Sequence, residues 1–337
     1  MKVSILGAGG LTGRELISYL KNHPNFELVH ITSNKTKGKA LSEVFPELGW
    51  DDSRLKFSDH SDPIPTGSLV VLAVPNEVAL ETAPVLLEKG HKVIDISGAF
   101  RLHNKEEFEL HYGIKHTAFE YMDRVQFGSP ELFREKLKKA DFVSNPGCYS
   151  SSVFLPLYFL GDLRKEIQSP VVVSAASGVS GAGGRTEEIG FTFTNTYENF
   201  RAYKVLSHQH TPEMIEYGFW NSPLHDLVFT PHLLPVYRGI LSTIFVNFQR
   251  EVPVSELENV FQKTSSEPFI RKKPKPEDIE LKYVQNSNYL DFSYRIKGKQ
   301  MILTSSLDNL GKGAAGGALQ NMNLMCGFKE TEGLLRL

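Results

Sequence analysis

Cys148 stands in Ser144-Asn145-Pro146-Gly147-Cys148-Tyr149, where a strand-like run ends and an apolar helical run, Val153-Phe154-Leu155 onward, begins. That pattern puts its sulfur at or near a helix N-terminus, whose dipole and orphan N–H groups stabilise a thiolate. A thiol of pKa about 8.5 is only ~3% ionised at pH 7, and lowering it to about 6.5 gives roughly 75%. The placement predicts a nucleophile, whereas Cys326, inside a C-terminal helical pattern, reads as packing. A nucleophile needs a group that takes and returns protons. Ser207-His208-Gln209-His210-Thr211-Pro212-Glu213 offers two histidines at i and i+2, on one face if the backbone is extended. Thr211 reads as an N-cap and Pro212 as the first helical residue, so a helix starts just after His210 and its positive end favours neutral imidazole. His208 is the first choice of base, with His210 close behind and His232, in Thr230-Pro231-His232-Leu233, a rival.

A second constellation reads as a phosphate-binding turn. Gly7-Ala8-Gly9-Gly10-Leu11-Thr12-Gly13 follows an apolar run, Val3 to Leu6, and opens an amphipathic segment with Leu16, Ile17 and Leu20. Thr12 breaks the strict G-x-G-x-x-G fingerprint, but Gly7, Gly10 and Gly13 satisfy a G-x-x-G-x-x-G spacing. Either spacing lets backbone N–H groups and a helix N-terminus approach a pyrophosphate. A site for NAD usually has an acid at the end of the second strand, bonding the ribose 2′-OH. Here that stretch is Thr32-Ser33-Asn34-Lys35-Thr36-Lys37, without an acid. A carboxylate ~5 Å from a 2′-phosphate costs about 3 kcal/mol per unit charge at an effective dielectric near 20. Its absence favours NADP, with Ser33, Asn34 and Lys35 as contacts.

These groups need a scaffold of alternating strands and helices. Leu28 to Thr32, Leu69 to Val74, Val93 to Ile96 and Phe142 to Ser144 read as buried strands, and Glu77 to Leu87 as a helix between two of them. That alternation predicts a Rossmann-type, doubly wound parallel α/β sheet. After residue 150 come Val171-Val172-Val173, Leu227 to Phe229 and Ile240 to Phe248, with a hairpin from Asp291 to Ser305 turning at Lys297-Gly298-Lys299. They predict a second α+β domain with a largely antiparallel sheet. The expected boundaries are a cofactor-binding domain over 1–147, a catalytic domain over 148–310, and a C-terminal helix over 311–337 returning to the first domain. The run Arg271-Lys272-Lys273-Pro274-Lys275-Pro276 reads as a solvated loop.

Composition bounds the rest. The chain has 337 residues, 41% hydrophobic and 23% charged, with 37 basic and 39 acidic side chains. A formal charge of −2 gives no electrostatic reason for a nucleic-acid or anionic-membrane partner. Two cysteines exclude a disulfide framework and are too few thiols for a structural zinc site, and no metal is expected. With a first strand starting almost at Met1 and no apolar run of membrane-spanning length, the expectation is a soluble cytoplasmic protein.

Together these motifs resemble the N-acetyl-gamma-glutamyl-phosphate reductases, NADP-dependent enzymes of arginine biosynthesis related to aspartate-semialdehyde dehydrogenases. The resemblance covers essentially the whole chain: GAGGLTGREL at the start, DISGAFRL at 95–102, FGSPEL at 127–132, SNPGCY at 144–149 and SGVSGAGG at 177–184. It continues through ENFRAYKVLSHQHTPEM at 198–214, FTPHLLPVYRGILST at 230–243 and DNLGKGAAGGALQNMNLMCGF at 308–328. It implies Cys148 as nucleophile, the His208/His210 pair as acid–base group and Arg101 as phosphate anchor, with Asn145 and Arg201 also at the substrate. It also implies that Ser177, Gly178, Ser180, Gly181 and Asn309 lie along the cofactor, and that the chain is a homo-oligomer, a dimer or tetramer, built through the second-domain sheet. Two departures stand out: Ser150-Ser151 where relatives commonly have Pro-Thr, and Ala99 where many have Asp. The alternatives are the homologous lysine-pathway aminoadipate-phosphate reductase and a catalytically inactive NADP-binding sensor.

Overall fold

The structure is a computed structural model that describes residues 1–50, 54–187, 192–223 and 225–335. It divides into two compact units, Met1–Pro146 with Ala314–Leu337, and Gly147–Gly313. The chain therefore leaves the first unit just before Cys148 and returns to it after Gly313.

The first unit runs β1 (Lys2–Leu6), α1 (Leu11–Leu20), β2 (Glu27–Thr32), α2 (Leu41–Val44), β3 (Phe57–Ser58), β4 (Leu69–Leu72), α3 (Asn76–Glu88), β5 (Lys92–Asp95), α4 (Lys105–Tyr112), β6 (Gln126–Phe127), α5 (Pro130–Leu137) and β7 (Phe142–Ser144). Its seven strands lie in the order β3-β2-β1-β4-β5-β7-β6, every pairing parallel. This is the doubly wound arrangement, and its direction reverses between β1 and β4, where such sheets bind ligands at their carboxyl ends. All four residues of β4 are buried, as a strand covered on both faces requires. Helix α3 buries Ala79, Leu80, Ala83, Leu86 and Leu87, one helical stripe, in a core with Val70, Leu72, Val93, Phe100 and Phe142.

The second unit holds α6 (Cys148–Tyr158), β8 (Ile167–Gly178), α7 (Phe193–Thr196), β9 (Arg201–Ala202), α8 (Thr211–Gly218), β10 (Leu227–Leu234), β11 (Ile240–Phe248), α9 (Val254–Phe261), β12 (Ile270–Lys272), β13 (Leu290–Lys297) and β14 (Gln300–Leu307). Its strands form one sheet in the order β12-β13-β14-β11-β8-β10-β9. Four of the six pairings are antiparallel, while β8 with β10 and β12 with β13 are parallel, so the sheet is mixed. The β13–β14 hairpin turns through Gly298 and Lys299, with Gly298 at φ 60°, as a type II′ turn requires at its first central position. Helix α6 packs on β11 and β14, burying Ile244 and Leu303, and α8 packs on α6 and β10. The opposite face carries Val172, Phe245 and Ile302, each exposed by 40% or slightly more.

The Lys-rich run is not simply a loop: Arg271 and Lys272 lie in β12. Its cations are matched by acids, Arg271 and Lys273 by Asp291, Lys272 by Glu258 and Lys275 by Asp278. After a π-turn over Gly311–Ala315, α10 (Gly316–Met325) belongs to the first unit and packs on α1 and α5. Cys326 is the C-cap of α10 rather than an interior residue, and burial pushes its thiol up. Among the described residues no helix is long and apolar enough to cross a membrane.

Candidate active site

In the second unit, Gly147 is the N-cap of α6 and Cys148 its first residue. The first-turn amides of a helix have no carbonyl to meet within it, so the thiol sits at a concentration of N–H dipoles. Gly147 itself donates its N–H to Glu213 Oε2 at 2.9 Å. Glu213 lies in the first turn of α8 and is fully buried. Gly313 backs the nucleophile: a Cβ on it would fall 2.7 Å from Cys148 Cβ.

His208 and His210 do come together, with ring centroids 4.8 Å apart. The cause is not an extended segment. Lys204 and Leu206 take positive φ, and turns carry the chain from β9 into α8. The N-cap of α8 is His210, one residue earlier than the Thr211 expected, and Thr211 is the first helical residue. His210 N donates to His208 Nδ1 at 3.1 Å, which leaves the proton of neutral His208 on Nε2. His208 is buried against Tyr149, Tyr203 and Phe229. The His210 imidazole lies over Gly147: a Cβ there would meet its Nε2 at 2.6 Å, Cε1 at 2.7 Å and Cδ2 at 2.8 Å. His232 is on β10, where alternation turns it to the face opposite Phe229, and it stacks on Phe200 at 4.9 Å.

Tyr149 joins this cluster to the glycine-rich end of β8. Its hydroxyl donates to His232 O at 3.0 Å and receives a weak bond from Tyr203 at 3.4 Å. Burial holds the phenol well above its ordinary range, offset in part by a hydrogen bond with Ser177. Ser177, Gly178, Ser180, Gly181 and Asn309 gather in one place. Asn309 donates to Ser180 Oγ at 2.9 Å and accepts from Gly239 N at 2.7 Å, and a Cβ on Gly181 would meet Ser177 Oγ at 2.8 Å. Beneath them is a buried pair, Arg238 Nε to Asp308 Oδ2 at 2.6 Å. Arg201, half-buried on β9, pairs across to Leu233.

In the first unit the glycine turn has the shape of a phosphate cradle. Gly7 has φ 81° and a Cβ on it would fall 2.1 Å from Ala73 O, so glycine alone fits. Gly10 is the N-cap of α1, and the nearest atom to a Cβ there is 3.6 Å away, which leaves room for a ligand above the helix start. Leu11, Thr12 and Gly13 form the first turn of α1. Gly9 meets Ser33 Oγ, so the turn and the end of β2 share one pocket wall with Asn34 and Lys35 following in the chain. The donor set fits a dinucleotide phosphate. Sequence reading missed the end of β3: Asp59 sits there, fixed by the Ser61 backbone and hydroxyl and by Lys37 at 3.1 Å, which hold its carboxyl well below the usual range.

At the far side of the same sheet, Arg101 is buried and donates from Nε to Asn145 O and from Nη2 to Ile96 O, both at 2.8 Å. Asp95 lies beside it, fully buried, and burial pushes its carboxyl up against the pull of Ser97 and Arg101. The Asn145 amide is held at both ends, accepting from Asn321 Nδ2 at 3.0 Å and donating to Ala314 O at 3.2 Å.

Glu213, Tyr149 and Asn321 were not singled out from sequence. Glu213 reads there only as a first-turn acid, and nothing along the chain signals that its carboxylate meets an amide 66 residues away.

Two family models match the chain: semialdehyde dehydrogenase, NAD binding domain, over residues 2–140, and semialdehyde dehydrogenase, dimerisation domain, over 148–309. The chain is 57% identical over 337 residues to N-acetyl-gamma-glutamyl-phosphate reductase of Leptospira interrogans, covering 99% of both. It is 40% identical over 342 residues to the protein of that name from Desulfotalea psychrophila, covering 99% of this chain and 98% of the other. Among solved structures it is similar to aspartate semialdehyde dehydrogenase II of Vibrio cholerae complexed with ASA, with TM-score 0.74, 18% identity and coverage of 97% and 98%. It is likewise similar to the NADP complex of aspartate semialdehyde dehydrogenase from Candida albicans, with TM-score 0.70, 15% identity and coverage of 96% and 98%.

Proposed function

The chain belongs to the semialdehyde dehydrogenase family and is an NADP-dependent reductase of N-acetyl-gamma-glutamyl phosphate in arginine biosynthesis, and we propose that Cys148, His210 and Arg101 carry the reaction. The single observation behind this assignment is a thiol at the first position of α6 with an imidazole lying over the preceding glycine.

Cys148 thiolate, stabilised by the α6 dipole, attacks the acyl carbon of the substrate. The sulfur–carbon bond forms, the carbon–oxygen bond to phosphate breaks, and inorganic phosphate leaves a thioester on Cys148. First-turn amides of α6 are suited to the oxyanion that develops on the acyl oxygen. NADPH, when bound, supplies the hydride that reduces the thioester. Gly7, Gly9, Gly10, Leu11, Thr12 and Gly13 would hold its pyrophosphate, and Ser33, Asn34 and Lys35 its adenosine end. His210 takes the thiol proton and later manages the proton of the thiohemiacetal as the aldehyde is released. His208 orients it through the bond to its backbone N–H, and Glu213 secures the N-cap of α6. His210 replaces His208 as first choice because its ring reaches the residue before the nucleophile, whereas His208 is enclosed by aromatic rings.

Arg101, steadied by two backbone carbonyls, suits a phosphate because a guanidinium grips two oxygens at once. Asn145, the other substrate residue proposed here, is engaged through both ends of its amide and accepts from Arg101 through its backbone carbonyl. By the family resemblance, Ser177, Gly178, Ser180, Gly181 and Asn309 would serve the cofactor, and Arg201 the substrate.

A homo-oligomer is supported by the row Ile302, Phe245, Val172 and Val228, which the strand register aligns across β14, β11, β8 and β10 on the open sheet face. A contiguous apolar row on a sheet face marks an interface. A cytoplasmic location fits a chain whose two cysteines are both thiols. The test is phosphate-dependent oxidation of N-acetylglutamate semialdehyde, aspartate semialdehyde and the aminoadipate analogue in parallel, with NADP and with NAD. Preference for the first aldehyde and for NADP is expected, and equal or better efficiency with NAD would remove the cofactor assignment.

A further inference from the structure

The cation count at the end of β2 is poorer than the sequence suggests. Lys37, one of the three lysines (Lys35, Lys37 and Lys39) in the loop between β2 and α2, is paired with Asp59. Asp59 is itself an acid on the neighbouring strand end, within the region where a 2′-phosphate would lie. With an acid at that strand end, a further donor beside Ser33, Asn34 and Lys35 would make the position more hospitable to an extra phosphate.

We propose that His60 recognises the 2′-phosphate of the cofactor, a specificity-determining role that rests on the NADP reading above. His60 follows β3, which pairs in parallel with β2 so that Thr32 lies beside Ser58. The His60 side chain crosses back over β2, with Nδ1 2.5 Å from Thr32 Oγ1. Thr32 is the last residue of β2, the position from which an acid would bond the ribose hydroxyl in an NAD site. Thr32 Oγ1 also accepts from Gly7 N at 3.3 Å, so the imidazole stands over the junction of β2 with the phosphate turn. With Thr32 donating its hydroxyl proton to Nδ1, neutral His60 carries its proton on Nε2, on the side of the ring away from Thr32. That is a donor where dinucleotide sites selective for NAD put an acceptor. His60 N points weakly at Asn34 Oδ1, at 3.5 Å, tying the ring's backbone to the same loop.

The test is fragment binding to the full chain by calorimetry, with 2′-AMP, 5′-AMP, NADPH and NADH as probes. In His60→Asn the amide can still meet Thr32 but cannot reach as far as Nε2, whereas His60→Gln extends to it. Losing a hydrogen bond to a charged group corresponds to a roughly 10- to 100-fold weakening. The expected result is that loss for 2′-AMP and NADPH in His60→Asn, partial recovery in His60→Gln, and no change for 5′-AMP or NADH. Equal weakening of all four probes would overturn the proposal in favour of an adenine contact, and unchanged binding of 2′-AMP would overturn it outright. Wild-type protein that binds NADH as tightly as NADPH would instead refute the NADP reading. Unfolding of each variant is monitored so that altered binding is read only on folded protein.

Discussion

Gly147→Ala is the sharpest probe of the catalytic geometry. Gly147 has φ −71° and ψ 148°, a conformation that alanine adopts freely, so the backbone gives no reason for glycine. The reason lies in His210, whose Nε2, Cε1 and Cδ2 would be 2.6, 2.7 and 2.8 Å from the new methyl. Carbon and nitrogen atoms in contact sit at about 3.5 Å, so the ring must retreat by close to 1 Å. The ring is the far end of a side chain and can swing away, so the stability cost is about 1 kcal/mol. A displacement of about 1 Å of a catalytic group costs roughly 100-fold in rate, or about 2.7 kcal/mol of barrier. The assay is NADPH formation from N-acetylglutamate semialdehyde and phosphate, with a melting curve on the same sample. The double-mutant cycle is decisive: in a His210→Ala background nothing remains to displace, and Gly147→Ala should then have almost no effect. Folded Gly147→Ala with near wild-type turnover would refute the assignment of His210, as would additive losses in the cycle.

Cys148→Ser should abolish turnover and leave NADPH binding within about two-fold, since a serine hydroxyl is too weakly ionised to replace a thiolate, whereas Cys326→Ser should retain activity. His210→Asn should lower turnover by about 10²–10⁴-fold and remove one limb of the pH–rate profile, while His208→Asn should act mainly through the Michaelis constant. Phe245→Lys, on the open sheet face, should shift the sedimentation profile towards monomer, and an unchanged profile would exclude that face as an interface. His23, His30 and His116 are all held below the ordinary histidine value of 6.5, chiefly by burial. Below pH 6.5 the unfolded chain therefore binds more protons than the folded one, so their contribution is complete above 6.5 and is lost as pH falls towards the folded values. Melting temperature should drop across that window, and His116→Phe, in its cage of Phe100, Phe108 and Phe119, should make the drop shallower.

The parallel sheet was legible because strands buried on both faces leave unbroken apolar runs, as Leu69–Leu72 does. The placement of Cys148 was legible for a related reason: Asn-Pro-Gly can neither continue a strand nor begin inside a helix, so the cysteine had to start one. The histidine pair was reached by a wrong route. Positive φ at Lys204 and Leu206, residues that rarely adopt it, makes the turns, and no residue type there announces them. Strand β12 was hidden because its alternation is carried by Arg271 and Lys272, whose charges are cancelled by acids distant in sequence. His60 was invisible because its role depends on which strand lies next to β2, a fact of pairing and not of local pattern.

The split course of the chain bears on its synthesis. When residue 146 leaves the ribosome, the nucleotide-binding unit still lacks α10, which packs on α1 and α5 and whose Asn321 and Asn323 engage Gly128, Asn145 and His23. All 167 residues of the second unit, Gly147–Gly313, must be translated before that helix appears. The unit made first is thus the one completed last, and it waits with a hydrophobic flank uncovered while its neighbour has everything it needs. Premature termination within α10 would damage the N-terminal unit and spare the one translated immediately before the stop.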